Sequence, residues 1–326
     1  MTKLKIKDYE LLHFSLNAKD EMDSFLSLLK LDISDYTFAA NYLWLSNATG
    51  FYSIINNTFC LFLLYGGELS MLLPPLGRQG DVYDAMSICF ELMNKNNTSK
   101  NYSKIEYVHE QLVEGFVDYL EEGTEIFEIL QDYIVERMLV DYVYECDTLI
   151  ELSENGYSDK RNEINRFTRI HPDYKLEVMD IHKHGNAIIE LFHKWVSNRI
   201  RFMPKEETDK FMDGIYFERL AIKRMIKDYS DLDLIGLVIV IDNELKGFTI
   251  GERINADTAS VIIEKTDFET FGCAQFIFRE FSRMLREKYS AKYINVGDDM
   301  GFENLKNVKM SYKPTKLIPK YTIYQK

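Results

Sequence analysis

Four cations fall within one short stretch, GYSDKRNEINRFTR (156–169): Lys160, Arg161, Arg166 and Arg169, with Asn162 and Asn165 between them. The whole chain carries a formal net charge of −13, so a local cluster of donors of this density calls for acceptors, either inside the fold or on a ligand. On a helix starting at Tyr157, the apolar positions Tyr157, Ile164 and Phe167 form one stripe. Lys160 falls in the middle of that stripe and Arg161 at its edge, while Asn162, Asn165, Arg166 and Arg169 fall opposite. Three chemistries fit: a solvated basic face with Lys160 reaching past the apolar stripe to water, contact with an anionic ligand, or a buried ion pair. A second candidate is LPPLGRQGD (73–81), where Gly77 and Gly80 allow close backbone approach and Arg78 adds charge beside a helix start. An anion and a rigid structural turn compete for this loop.

The bulk composition bounds what these residues can serve. At 326 residues the chain suits two domains, and 46% hydrophobic with 28% charged content is that of a globular protein. The acidic balance argues against a general nucleic-acid binder, DNA included, and leaves room for one local basic groove. The opening MTKLKIKDYE lacks a signal-peptide core, and no apolar run approaches the ~20 residues that span a bilayer, so the expectation is a cytoplasmic protein without a transmembrane segment. Cys60, Cys89, Cys146 and Cys273 lie far apart in apolar contexts and read as buried free thiols. His182, His184 and His193 have no metal-site spacing, so no metal is expected.

The elements that must position these residues repeat one order. The strand 9–15 is followed by helices near 18–30 and 35–46. Three strands then turn at Asn56-Asn57 and Gly66-Gly67, followed by a helix over 81–94 with Asp81 as N-cap, a strand at 104–108, a helix near 109–120 and the strand EIFEIL. The second pass has a strand at 174–180 and helices near 182–200 and 208–229. Its three strands LIGLVIVI, LKGFTIGE and TASVIIEK turn at Asp242-Asn243 and Asn255-Ala256-Asp257. A helix over 273–288, the strand YINV, a helix at 301–310 and the strand KLIPKYTIY complete it. Hairpins followed by a helical crossover imply an α/β fold with mixed sheets and helices packed on them. The order is that of the GNAT acyltransferase fold, present twice, with lobes over 1–140 and 141–326.

Four motifs sharpen this reading. MLLPPLGRQGD (71–81), the DYVY stretch (141–144), the KRN-x-x-NRF helix (160–167) and the late KMSYKP…KY (309–321) occur in an order that resembles the family related to the C-terminal domain of phosphatidylglycerol lysyltransferase. The resemblance covers nearly the whole chain. It implies a tandem GNAT fold and acyl or aminoacyl transfer. In the lysyltransferase a lysyl group passes from charged tRNA to a lipid head group, and the similar Fem-type peptidyltransferases also use aminoacyl-tRNA.

The resemblance also places candidate site residues. GNAT enzymes cradle the pyrophosphate of acyl-CoA on a Gly-rich loop before a helix. The matching stretch here is Glu269-Thr270-Phe271-Gly272-Cys273-Ala274, where Gly272 and Ala274 fit and the Glu269 carboxylate does not. Acyl transfer needs a base for the acceptor, donors for the oxyanion and an acid for the leaving group. Glu264 ends the strand bordering the expected cleft and is the candidate base. Tyr312 is the candidate acid, and Lys309, Asp298 and Asp299 are candidates to hold the acceptor. Lys160, Arg161, Asn162 and Asn165 are candidates for the ligand. The leading expectation is transfer from aminoacyl-tRNA, ahead of acyl-CoA, to the amine or hydroxyl of a small molecule, peptide or lipid head group, with no tightly bound cofactor. The alternative is a non-catalytic GNAT scaffold that binds a small anion or peptide.

Overall fold

The computed structural model describes residues 3–45, 48–114, 126–129, 132–201 and 205–326. The chain runs β1 (Lys3–Ile6), β2 (Tyr9–His13), α1 (Lys19–Leu26), α2 (Phe38–Trp44), β3 (Thr49–Ile55), β4 (Thr58–Tyr65), β5 (Glu68–Met71), α3 (Gln79–Asn96), β6 (Lys104–His109), α4 (Glu110–Glu114), β7 (Ile126–Ile129) and β8 (Tyr133–Glu145). It continues through α5 (Cys146–Glu151), α6 (Ser158–Ile170), β9 (Lys175–Val178), α7 (Ile181–Arg201), α8 (Lys205–Asp228), β10 (Ile235–Ile241), β11 (Glu244–Gly251) and β12 (Thr258–Ser260). β13 (Ile263–Thr266), α9 (Cys273–Tyr289), β14 (Tyr293–Asn295), α10 (Glu303–Met310) and β15 (Lys316–Gln325) complete the order. Two compact units result. The first holds Met1–Asp141, Asp298–Glu303 and Leu317–Lys326; the second holds Tyr142–Gly297 and Asn304–Lys316. Two C-terminal segments therefore group with the first unit, whereas the sequence placed everything from 141 onward in the second.

In the first unit the strands run β1-β2-β3-β4-β5-β6-β15-β8, with β7 on β8. The turns are local chemistry. Asn56 and Asn57 take φ of 48° and 57°, and Gly66 and Gly67 take 60° and 87°, so both hairpins close on two left-handed residues. α3 covers the sheet with Val82, Ala85, Met86, Cys89, Phe90 and Met93, a helical spacing that buries against Phe62, Leu69, Met71 and Ile105. α3 begins earlier than its sequence suggests. Its N-cap is Arg78, in extended conformation, and Asp81 sits in the first turn, where its charge suits the helix dipole. The Asp81 N-cap expectation is thereby corrected. The helix expected near 109–120 is described through Glu114, and 115–125 lies outside the described residues.

In the second unit β9, β10, β11 and β13 form one antiparallel sheet, and β12, β14 and the last residues of β8 form a second ladder. The stretch 258–266 looks like one strand in sequence but divides in two. Its start runs parallel to β14 through Thr258–Ser260, with a last bond from Val261 N–H to the Asn295 carbonyl (2.8 Å). Its end, Ile263–Thr266, pairs with β11 and, among the described residues, with no other strand. Where the strand leaves β14, the pairing opens, and Glu264 lies on the departing half. α9 packs Phe276, Ile277, Phe281 and Leu285 inward, and the Phe276 ring stacks on Phe167 of α6 at 4.7 Å. All four cysteines are buried free thiols. Among the described residues no helix is long and apolar enough to cross a membrane.

Candidate functional site

The amphipathic phase of α6 brings three parts of the second unit together. Tyr157, Ile164 and Phe167 are buried, as their spacing requires. Tyr157 Oη donates to the Tyr312 carbonyl (3.0 Å), which ties the start of α6 to the segment after α10. Lys160, one turn on, holds its ammonium 4.5 Å from the centre of the Tyr312 ring. Phe278 meets that ring edge-on at 5.1 Å and Tyr144 at 6.3 Å.

The other cations of this helix have different partners. Arg161 donates to the carbonyls of Leu152 and Glu154 (2.8 Å for the latter), bracing the turn that precedes α6. Arg166 lies 4.1 Å from the Phe271 ring centre. Asn162 and Asn165 are exposed. Glu163, between the cations, is half-buried, and its Oε2 is sealed from solvent without a hydrogen bond among the described residues.

Glu264 sits across β11 from Thr249. The residue is half-buried, but its Oε2 is also sealed without a hydrogen bond among the described residues, and so is the Thr249 hydroxyl. Burial pushes the Glu264 carboxyl up to about 8, against the pull of the Lys265 charge next to it and of Thr249. Lys265 points to the opposite face of the strand, to Glu218 (2.7 Å) and over the Trp195 ring (4.2 Å), so among the described residues Glu264 has no ion pair. Burial, then the charges of Glu264 and Glu163, push the Tyr312 phenol well above its ordinary value. These three groups therefore lie within electrostatic reach of one another. A carboxyl raised towards neutrality can take a proton, and a phenol that stays protonated can donate a hydrogen bond.

The α9 loop is structurally engaged. Gly272 is the N-cap of α9 with φ of 78°, and a Cβ there would overlap the Glu163 carbonyl of α6. Ala274 follows in the first turn. Glu269 is exposed and ion-paired with Lys194 (2.9 Å), while Asp267, which is buried, binds Lys194 (2.9 Å) and Lys246 (3.3 Å). Lys309 donates to the carbonyls of Val296 (2.6 Å) and Gly297 (3.0 Å), holding the chain after β14. Asp298 and Asp299 fall in the first unit. Asp299 closes a local turn by accepting from Gly301 N–H (2.9 Å).

Glu163 escaped the sequence reading because it stands among cations and looks like part of a charged surface. A second cluster escaped it as well. In the first unit Lys320, 1% exposed, binds Asp35 (2.9 Å), Asp141 (2.9 Å) and Asp298 (2.7 Å). Burial opposes the ammonium, but three carboxylates override it and hold its pKa far above the ordinary lysine value. Burial raises Asp35 to about 6, with Lys320 opposing and the other carboxylates adding. The DYVY and late KY motifs meet here, because Asp141 opens one and Lys320 sits in the other. No signal links residues so far apart in sequence.

Residues 26–324 match the family described as phosphatidylglycerol lysyltransferase, C-terminal. An uncharacterized protein of Mycoplasmoides gallisepticum is 25% identical over 195 residues, a stretch that spans 58% of each chain. A conserved protein of unknown function from Bacteroides thetaiotaomicron superposes with a TM-score of 0.79 at 22% identity, over 99% of this chain and 100% of its own. L-PGS from Bacillus licheniformis superposes at 0.62 with 16% identity, over 94% and 91%. The mixed sheets and hairpin order are those of a GNAT-like fold, and family and fold relate the chain to aminoacyl- and acyltransferases. A match over most of its length decides the family: the chain belongs to that of the phosphatidylglycerol lysyltransferase C-terminal domain.

Proposed function

We propose that the chain transfers an aminoacyl group from an ester donor, aminoacyl-tRNA ahead of acyl-CoA, to an amine or hydroxyl acceptor. The observation that carries this reading lies in the second unit: a Glu264 carboxyl whose Oε2 is sealed from solvent without a hydrogen bond among the described residues, and a Tyr312 phenol that its charge influences. The acceptor attacks the ester carbonyl while the Glu264 carboxylate takes its proton. Tyr312 donates to the developing oxyanion and then protonates the leaving ribose oxygen. The proton held by Glu264 passes to the tyrosinate and restores both groups. With the Glu264 pKa at about 8, roughly a tenth of the carboxyls are ionised at pH 7, so the rate rises with pH up to about 8.

Two features favour the tRNA ester over CoA. The glycine that would face a pyrophosphate is pressed against the Glu163 carbonyl, an acceptor where phosphate needs donors. Glu269 adds a carboxylate to the same loop. The family's name joins lysyl to a lipid, which makes a lipid head group one acceptor class beside peptides and small amines.

The test incubates the purified protein with a pool of aminoacylated tRNAs, with and without amine acceptors, and reads tRNA deacylation by acid-gel mobility, with acetyl-CoA consumption in parallel. Acceptor-dependent deacylation that falls on the order of a hundredfold in Glu264→Gln is the expected result. Acceptor-independent behaviour with every tRNA, or an unchanged rate in Glu264→Gln, sinks the proposal. Consumption of acetyl-CoA alone reverses the order of donors.

A further inference from the structure

The first unit contains a cavity of about 120 Å3 beside the Pro74–Gly77 turn, which the transfer reading does not use. Four polar side chains line it, Tyr36, Gln79, His109 and Gln111, and the rest of its wall is apolar, including Leu29 and Leu76. Among the described residues no lysine, arginine or carboxylate lines it. His109 stays neutral as well, since burial lowers its pKa to about 4.

The hydrogen bonds decide what each polar group can offer. His109 Nδ1 accepts from Leu112 N–H (3.2 Å), so the ring proton is on Nε2. Tyr36 Oη gives its proton to the Tyr107 carbonyl (2.9 Å). Among the described residues no hydrogen bond occupies His109 Nε2–H, which leaves a neutral donor on a residue that lines the cavity. Among the described lining residues a cation finds no counter-charge and an anion no positive group, and a purely apolar guest leaves the N–H unmet. A cavity of about 150 Å3 holds benzene, so the guest is of comparable size or smaller.

We propose that this cavity binds a short aliphatic carbonyl compound, an amide with roughly two to four carbons behind it, whose oxygen accepts from His109 Nε2–H. The amide is the class that offers a strong neutral acceptor while remaining uncharged, and its NH2 group can meet the exposed side-chain carbonyls of Gln79 or Gln111.

Three probes of nearly equal shape separate the possibilities: isovaleramide, isovalerate and isoamylamine. The full-length protein, labelled with 15N-histidine, is titrated with each, and the His109 ring signals are assigned by their loss in His109→Phe. Isovaleramide is expected to shift the Nε2 signal saturably, with the charged probes at least about tenfold weaker. Ligand-observed saturation transfer is expected to show a loss of at least about tenfold in His109→Phe, which keeps the ring volume, and also in Leu29→Phe, which fills the cavity from a half-buried position. Melting curves establish that each variant is folded, and either variant alone suffices. Absence of a saturable shift identifies a merely hydrated cavity and overturns the proposal. Equal binding of all three probes, or undiminished amide binding in a folded variant, overturns it too. None of these outcomes bears on the transferase reading, which concerns the second unit.

Discussion

Glu264→Gln isolates the physical property on which the proposed chemistry rests. The carboxyl has an ordinary value of 4.5 and is held at about 8 in the fold, so between those values the folded state keeps a proton that the unfolded chain has released. The raised carboxyl therefore lowers stability as pH rises through that window, by about 1.4 kcal/mol per pH unit. Across the whole interval the loss approaches about 5 kcal/mol, a large share of the net stability of a domain. Glutamine is nearly the same shape and does not titrate. Its stability relative to wild type is expected to climb from pH 5 to pH 8 and then level. Urea unfolding at pH 5, 6, 7 and 8 measures this, followed by Trp195 fluorescence in a Trp44→Phe background. Trp195 is in the second unit and Trp44 in the first, so the background variant confines the signal to the unit that holds Glu264. Other titrating groups, Asp35 among them, contribute equally to both proteins and cancel in the difference. Parallel wild-type and Glu264→Gln profiles from pH 5 to 8 would show that the carboxyl is ordinary. The base assignment would then lose its basis.

Three further substitutions test other parts of the description. Lys320→Met leaves Asp35, Asp141 and Asp298 without their shared counter-charge and is expected to lower stability by about 3–5 kcal/mol. Adding Asp141→Asn should recover part of that loss in a double-mutant cycle, and strict additivity would contradict the pairing. Gly272→Ala places a Cβ at φ of 78° and into the Glu163 carbonyl, so a loss of at least about 1 kcal/mol by thermal melting is expected, and an unchanged melt would mean that α6 and α9 are less closely packed. Arg161→Ala removes donors to the Leu152 and Glu154 carbonyls and is expected to cost about 1–3 kcal/mol. Unchanged stability with weakened ligand binding would instead return Arg161 to the role of ligand contact.

What the sequence made legible follows from the range of the forces involved. Asn56-Asn57, Gly66-Gly67 and Asp242-Asn243 announce their hairpins because positive φ is a property of two adjacent residues, and all six take it. The helical spacing of Phe276, Phe281 and Leu285 announces α9 because one face must be buried. The division of 258–266 has no local signature: Thr258–Ser260 and Ile263–Thr266 have similar strand propensity, and their partners, β14 and β11, lie on opposite sides in the sequence. The same holds for β15, whose alternating residues specify a strand but not the unit it joins. That choice is coupled to Lys320. A lysine in the middle of a strand reads as solvent-facing, and it is buried here because Asp35, Asp141 and Asp298 arrive from three distant segments to meet it. A strand carrying such a charge can be buried only where those carboxylates converge, so the ion cluster specifies the partner that propensity leaves open. Glu264 is the opposite case, a carboxyl buried with no cation of its own. The two buried ionisable sites thus differ in their surroundings: Lys320 is matched by three carboxylates, while Glu264 has no ion-pair partner among the described residues, which is what the proposed base role requires.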